Sequence, residues 1–354
     1  MFRTIALLCC LAIPTTASAF TKAEAKELYA LAEAHRVGET ATYDPERAFE
    51  ILSELSDAGN LRATARLGTY YAQGIGTDAS QELAENAYLA AIQGGRESAR
   101  VSYAKYLARA GRFADADDQY ALAIEAEVKS ADMRRVLAHA TGAMGAATNA
   151  EMAARWADFL SEPEALVSAI RYHDAAKTYG ITAKDHLDDV LALHRDPESR
   201  FSGKAAEAAL IYLSQTKPYA QIDLQTELLD NPNLRTKIRI EHALRLAAQT
   251  KPERFWVASE EILADAPAPL FSRGLALTAR KSRNGAIRII QLELAKMGYA
   301  PGRPSGMLTT KTIRAMNRFC RDNDIWDTCR LGPAKGATIK AIGVAIGEAK
   351  GKIS

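Results

Sequence analysis

The chain has 354 residues, of which 25% are charged and only 7% aromatic. Its length accommodates two or three domains. Alanine, leucine and glutamate are abundant and no alternating strand pattern recurs, so the composition predicts an all-α fold. The net charge of +2 by itself points to no polyanion, and we expect no nucleic-acid partner.

The first nineteen residues have the pattern of a secretory signal peptide. Arg3 supplies the positive start, Ile5 to Ile13 form an apolar run, and Ala17 to Ala19 give a small-x-small cleavage pattern. The run is too short to span a bilayer as a stable helix. We therefore expect cleavage after Ala19 and export to a bacterial periplasm.

Two cysteines in this leader leave an alternative open. Cys9 and Cys10 are compatible with a lipoprotein, although the residue before each is not the small one that lipoprotein processing requires. Beyond the leader, no stretch approaches eighteen unbroken apolar residues. We therefore expect no transmembrane segment in the mature chain.

The stretch from Arg62 to Gly95 has the pattern of two short amphipathic helices joined by a glycine turn. Gly74 and Gly76 let the backbone reverse, and Asp78 or Ser80 is expected to cap the second helix. Small and apolar residues recur at spacings of three and four on both sides of the turn. They are Ala65, Leu67, Gly68, Tyr71 and Ala72 before it, and Leu83, Ala84, Ala87, Tyr88 and Ala91 after it.

This helix pair has counterparts on either side. Leu67 corresponds to Leu31 at 36 residues upstream and to Tyr103 at 36 residues downstream, while Tyr88 corresponds to Tyr120 at an offset of 32. One such pair is too short to be stable alone. A drifting period of helix pairs is typical of an α-solenoid, whose units shelter one another's apolar faces.

The LGxxYxxGxGxD core from Leu67 to Asp78 resembles the Sel-one-like subclass of tetratricopeptide repeats. The resemblance covers roughly residues 25 to 130, and the second unit matches best. The first unit has a longer polar turn, from Glu39 to Asp44, and the third lacks the GxG. Such repeats imply a surface for protein partners. We predict repeats over residues 20–130 and continued solenoid over 131–280, with a separate helical domain as the alternative for the latter.

The charge is distributed unevenly along the chain. Residues 281–354 carry 14 Lys and Arg against five Asp and Glu, a net charge of +9, whereas the preceding 280 residues carry −7. An acidic repeat region followed by a basic module indicates two different kinds of partner. The best candidate for a boundary is Pro267 to Pro269, and Ser282 to Asn284 is the next.

The stretch from Ala286 to Phe319 resembles the peptidoglycan-binding-like module. The matching residues are Gln291 and Leu294 in a first helix, Gly298, Tyr299, Gly302, Ser305 and Gly306 in a loop, and Thr312, Ala315 and Phe319 in a second helix. The chain departs from the family pattern at Ser305, where Asp is usual, and at Cys320, where Gln is frequent. The resemblance covers about 60 residues and implies a small three-helix bundle over 281–354, closed by a third helix from about Ala337 to Glu348.

The family implies association with peptidoglycan, and the basic charge extends this to acidic polysaccharide. The predicted ligand-binding residues are Tyr299, Arg303, Arg314 and Arg318. A bundle that serves only as a structural cap, without affinity for the cell wall, is the alternative. Trp326 is open to two interpretations, stacking on a sugar or packing.

Cys320 and Cys329 are the only cysteines that remain after removal of the leader. An even pair in an exported chain predicts a disulfide, and two buried free thiols are the alternative. Closing a loop of about ten residues stabilises by at most about 3 kcal/mol in the chain-entropy model. No histidine lies near them, so the sequence predicts no metal site there.

Catalytic constellations are not evident in the sequence. The six histidines are scattered, and His186 and His194 stand two helical turns apart, too far for one metal ion. Carboxylate pairs are common on helix surfaces and do not identify acid–base chemistry. We therefore predict a non-enzymatic scaffold without a cofactor, by analogy with periplasmic scaffolds of exopolysaccharide export and regulators of envelope signalling. A cell-wall hydrolase with an active site in residues 131–280 is the alternative.

Overall fold

A computed structural model describes residues 20–37, 44–216 and 221–351. Within these ranges the chain forms 20 α-helices, three short 3-10 helices and no strand, which confirms the predicted all-α fold. The first ten α-helices are α1 (Lys22–Val37), α2 (Pro45–Asp57), α3 (Leu61–Gln73), α4 (Gln81–Gln93), α5 (Ala99–Arg109), α6 (Phe113–Glu125), α7 (Ala131–Ala140), α8 (Ala150–Ala154), α9 (Pro163–Arg171) and α10 (His173–Thr178). The others are α11 (Leu187–Arg195), α12 (Ser202–Thr216), α13 (Ile222–Leu229), α14 (Thr236–Ala247), α15 (Pro252–Ala264), α16 (Ala268–Lys281), α17 (Arg283–Lys296), α18 (Thr310–Asp322), α19 (Trp326–Cys329) and α20 (Gly336–Gly351). The 3-10 helices are Gly145–Ala147, Arg155–Phe159 and Ala183–His186.

Side-chain caps and glycines set the bounds of α3 and α4. The Asn60 side chain accepts hydrogen bonds from two backbone N–H groups at the start of α3, and Gly74 ends that helix in the left-handed region with φ of +63°. Of the two predicted caps, Ser80 is the one that caps α4, accepting from the Leu83 N–H at 3.2 Å. Of the apolar residues that recur after the turn, Leu83 does not pack inward, since its side chain is 47% exposed.

Close approach of backbone and side chain holds the N-terminal helices together. A Cβ on Gly68 would lie 2.8 Å from the Tyr88 ring, so the absence of a side chain lets α3 and α4 pack tightly. A Cβ on Gly76 would lie 1.9 Å from the Pro45 carbonyl oxygen, which ties the glycine turn to the start of α2. From α1 to α7, each helix packs on its neighbour in sequence. This packing agrees with helix-pair repeats, while the solenoid arrangement stays a prediction.

The middle region is helical, as its sequence indicates, with breaks that the sequence did not show. One such break is at Tyr172, which separates α9 from α10. Trp156 is fully buried and its indole N–H donates to the Ala165 carbonyl oxygen at 3.2 Å, so this side chain serves packing. Glu207 on α12 is buried and pairs with Arg171 and Arg235 from the flanking regions.

The third helix of the predicted C-terminal bundle is α20, and most of its packing is against α16. A Cβ on Gly347 would lie 2.6 Å from the Ala268 carbonyl oxygen, and one on Gly343 would lie 3.2 Å from the Ser272 Cα. These two glycines, one helical turn apart, let the two backbones approach closely. The apolar core consequently runs without interruption from α14 to α20, and Phe271 on α16 lies fully buried within it.

Two predictions concern residues that are not described. The signal peptide and its cleavage after Ala19 lie outside the described residues, as does most of the polar turn from Glu39 to Asp44. In the described part of the chain, no helix combines the length and the apolar character needed to cross a membrane.

Candidate functional site

Three glycines shape the loop between α17 and α18. Gly298, Gly302 and Gly306 have φ of +83°, +85° and +76°, in the left-handed region that glycine adopts without steric cost. Gly306 is constrained further, because a Cβ there would lie 2.5 Å from the Asn284 carbonyl oxygen. The loop is therefore held in one path against the start of α17.

The buried side chain of Gln291 fixes this path from within. Its amide oxygen accepts the Gly306 N–H at 2.8 Å, and its Nε2 donates to the Met307 carbonyl oxygen at 3.0 Å and to Thr312 Oγ1 at 2.8 Å. The Thr312 hydroxyl in turn donates to the Pro301 carbonyl oxygen at 3.0 Å. One amide thus joins α17, the loop and the first turn of α18, as a satisfied buried network does.

Arg288 attaches the loop to an earlier helix. Its Nε pairs with Glu260 on α15 at 3.0 Å, and its Nη1 donates to the Pro304 carbonyl oxygen at 2.6 Å. Arg288 therefore links the loop to α15 and fixes the position of the loop. The Arg288 side chain also lines the surface that the loop encloses.

That surface is a groove of about 720 Å³ between the loop and the N-terminal end of α18. It is lined by Arg288, Gly302, Arg303, Pro304, Ser305, Thr309, Thr310 and Lys311. Arg303 and Lys311 are exposed, and among the described residues neither has a hydrogen-bond or ion-pair partner. Two unpaired cations, Arg303 and Lys311, beside three hydroxyl groups at a helix N-terminus form a surface that favours an anionic, hydroxyl-rich ligand.

The structure divides the four predicted ligand-binding residues between two places. Arg303 lines the groove. Tyr299 packs edge-to-face on Phe319 with ring centroids 5.4 Å apart, and its hydroxyl donates to Asp322 Oδ2 at 2.9 Å. Burial, and then the hydrogen bond to Asp322, raise the pKa of Tyr299. Tyr299 therefore anchors the loop to α18.

Arg314 and Arg318 lie on the exposed face of α18, one turn apart. Arg318 stands 5.8 Å from the centre of the Tyr299 ring and 3.7 Å from Asp322. With Lys311, these arginines continue the positive charge of the groove along the helix. The sequence missed Lys311 and Arg288, although a charged residue inside the apolar run of α17 was a usable signal for Arg288.

Cys320 and Cys329 lie at disulfide distance, with their Cα atoms 6.4 Å apart, as the cysteine count predicted. The Trp326 side chain inside this short loop is partly buried, and the Arg321 guanidinium lies 4.3 Å from the centre of its ring. A ring already covered by a cation on one face has less surface for a sugar. This contact favours the packing interpretation of Trp326.

The buried carboxylate of the middle region, Glu207, is held by two arginines. Burial alone would raise the pKa of Glu207, but hydrogen bonds and charges from Arg235 and Arg171 outweigh it and lower that pKa. A carboxyl held ionised in this way is poorly suited to donate a proton. Among the described residues, no group of three or more His, Cys, Asp and Glu side chains is placed to hold a metal ion.

No protein-family model matches the sequence, and no curated protein matches it.

Proposed function

We propose that this protein is an exported, non-enzymatic scaffold that binds protein partners through its helical repeats and associates with peptidoglycan or acidic polysaccharide through residues 281–354. The groove beside α18 is the observation that supports association with a cell-wall polymer. Arg303 belongs to the loop whose shape is fixed by Gln291, and Lys311 belongs to the first turn of α18, which Gln291 also holds through Thr312. Both cations are unpaired within the described chain. A pre-organised cationic surface binds a polyanion at a lower entropic cost than a mobile one.

The first half of the proposal depends on the N-terminal helices. From α1 to α7 each helix packs on its neighbour in sequence, and the tyrosines and small residues are used for packing between helices. A continued stack of such helix pairs would present one long surface to a partner. A hydrolase in residues 131–280 would need a carboxyl able to exchange a proton. The buried carboxyl of that region, Glu207, is instead neutralised by Arg171 and Arg235.

Charge reversal at the groove tests the proposal. The double variant Arg303→Glu and Lys311→Glu is expected to lower retention on isolated sacculi in low salt by about tenfold, since two charge-assisted contacts become repulsive. The measurement is the fraction of protein that co-sediments with sacculi. Deletion of residues 281–354 is a poorer test, because it would uncover the buried Phe271 on α16.

The matched control is Lys251→Glu with Arg254→Glu, which makes the same change of charge at two exposed residues at the start of α15. This control should be retained like the unmodified protein. Equal retention of both double variants would contradict the assignment to the groove. A cleared band from the purified chain in a peptidoglycan zymogram would contradict the non-enzymatic half of the proposal.

A further inference from the structure

A second pocket lies far from the groove along the chain, on the surface formed by α5, α6, α7 and α9. It has a volume of about 340 Å³, within the range of small-ligand sites. It is lined by Lys105, Ala108, Arg109, Tyr120, Arg134, Leu137, Ala138, Thr141, Ala143, Glu164, Ser168 and Tyr172. Its cations come from α5 (Lys105 and Arg109) and α7 (Arg134), which are not consecutive helices.

The charges in this pocket are only partly compensated. Arg134 donates to Glu164 Oε2 at 3.1 Å, which leaves Lys105 and Arg109 without an ion-pair partner among the described residues. Desolvation, and then the charge of Arg134, lower the pKa of Lys105, although Lys105 and Arg109 both keep exposed surface at the pocket. Two uncompensated cations inside an acidic region favour the entry of an anion.

Tyr120 supplies an independent sign of a ligand. Its side chain is only 1% exposed, yet it lines the pocket, and its hydroxyl makes no hydrogen bond to any described residue. Burial raises its pKa to about 12, so the hydroxyl remains a donor. A donor without a protein partner, on a side chain that lines a cavity beside two unpaired cations, is a site for an acceptor oxygen.

The remaining wall determines which anion fits. Ala108, Leu137, Ala138 and Ala143 give an apolar side to the pocket, and the Tyr172 ring stands exposed at its edge. Because Glu164 is paired with Arg134, two unpaired cations remain, and they match a single carboxylate better than a compact, multiply charged anion such as inorganic phosphate. A single carboxylate on a short carbon chain satisfies the cations, the hydroxyl and the apolar wall together.

We propose that this pocket is the site at which the scaffold binds an acidic peptide segment of a partner protein, with a carboxylate held by Lys105, Arg109 and the Tyr120 hydroxyl. This inference rests on the protein-binding half of the proposed function and names the surface and the chemistry of the partner. It is independent of the groove beside α18, which lies in a different part of the chain.

Selection from random octapeptide libraries by the purified chain tests the inference. One library presents a free C-terminal carboxylate and the other presents internal segments, so the two together show whether a terminal or a side-chain carboxylate is bound. Enrichment of Asp, Glu or the free C-terminus beside apolar residues is expected. The affinity of the consensus peptide is then measured by fluorescence anisotropy.

Lys105→Ala with Arg109→Ala is expected to weaken binding of that peptide by about tenfold or more, and Tyr120→Phe by about fivefold with the fold intact. The control, Lys177→Ala with Lys184→Ala, removes two exposed positive charges outside the pocket and should bind as the unmodified protein does. Far-UV circular dichroism checks that each variant is folded.

Three outcomes would overturn the inference: selected peptides without carboxylate enrichment, equal binding by the pocket and control variants, or glutarate alone binding as tightly as the peptide. The last would mean a small dicarboxylate occupies the pocket. None of these outcomes affects retention on sacculi, so a failure here is distinguishable from a failure of the groove.

Discussion

Truncation of Phe271 to alanine is expected to lower the free energy of unfolding by about 3–5 kcal/mol, the range for deleting a large aromatic side chain from a packed core. Phe271 is fully buried on α16 and belongs to the same apolar core as Ile290 of α17 and Ile342 of α20. The Lys350 ammonium also lies 4.8 Å from the centre of its ring. Urea unfolding followed by circular dichroism measures the change.

This substitution also tests where the C-terminal unit begins. If residues 281–354 fold by themselves, a truncation at Phe271 should leave their amide protection unchanged. Because α20 packs mainly on α16, we expect hydrogen exchange to become faster in α17 and α20 as well as in α16. Val257→Ala, a truncation at a side chain that is 49% exposed, is the control and should change stability by less than about 0.5 kcal/mol. Unchanged protection of α17 and α20 in Phe271→Ala would contradict a shared core.

Replacement of Gln291 by leucine is expected to lower the free energy of unfolding by about 2–3 kcal/mol. The change keeps an apolar body of similar size but removes all three hydrogen bonds, and it leaves the buried Gly306 N–H without its acceptor. A buried donor without a partner costs about 1–3 kcal/mol, and the lost bonds add to this. Urea unfolding gives the stability, and the exchange rate of the Gly306 amide reports on the loop directly.

The same variant links the loop to binding. Since Gln291 holds the loop that carries Arg303, its loss should reduce retention on sacculi even though Gln291 itself is fully buried. Gln93→Leu, at an exposed position at the end of α4, provides the matched control. A Gln291→Leu protein with an unchanged Gly306 exchange rate and full retention would show that the loop does not depend on this network.

Local features of the structure were predictable because their causes are local. The glycine turn after α3, the Ser80 cap and the disulfide between Cys320 and Cys329 follow from residues close together in sequence. The start and end of α20 were likewise predicted to within a few residues. Each of these depends on the conformational preference of one residue or on the number of cysteines, and both can be read directly from the sequence.

Associations between distant elements could not be predicted in this way. The packing of α20 on α16 depends on Gly343 and Gly347 meeting the backbone of a helix about 75 residues earlier, which no period reveals. The groove combines Arg288 with Lys311 through a loop whose path depends on the buried Gln291. A charged residue has the same local pattern whether it faces open solvent or lines a groove.

The pocket of the repeat region shows the same limit more clearly. Lys105, Tyr120 and Arg134 lie on three different helices, and none of them belongs to a motif. In the sequence, Tyr120 was notable only as the repeat counterpart of Tyr88. Whether its hydroxyl has a protein partner depends on tertiary packing. The sequence therefore could not identify Tyr120 as a candidate ligand contact.

The most direct test of the central claim is the retention of the protein on isolated sacculi as a function of salt. We predict that retention of the unmodified chain falls steadily as NaCl is raised from about 0.05 M to about 0.5 M, because salt screens contacts to exposed cations such as Arg303 and Lys311. The charge-reversed groove variant should stay low at every concentration. Retention that is independent of salt, and equal for the two proteins, would contradict a cationic groove that binds an anionic wall polymer.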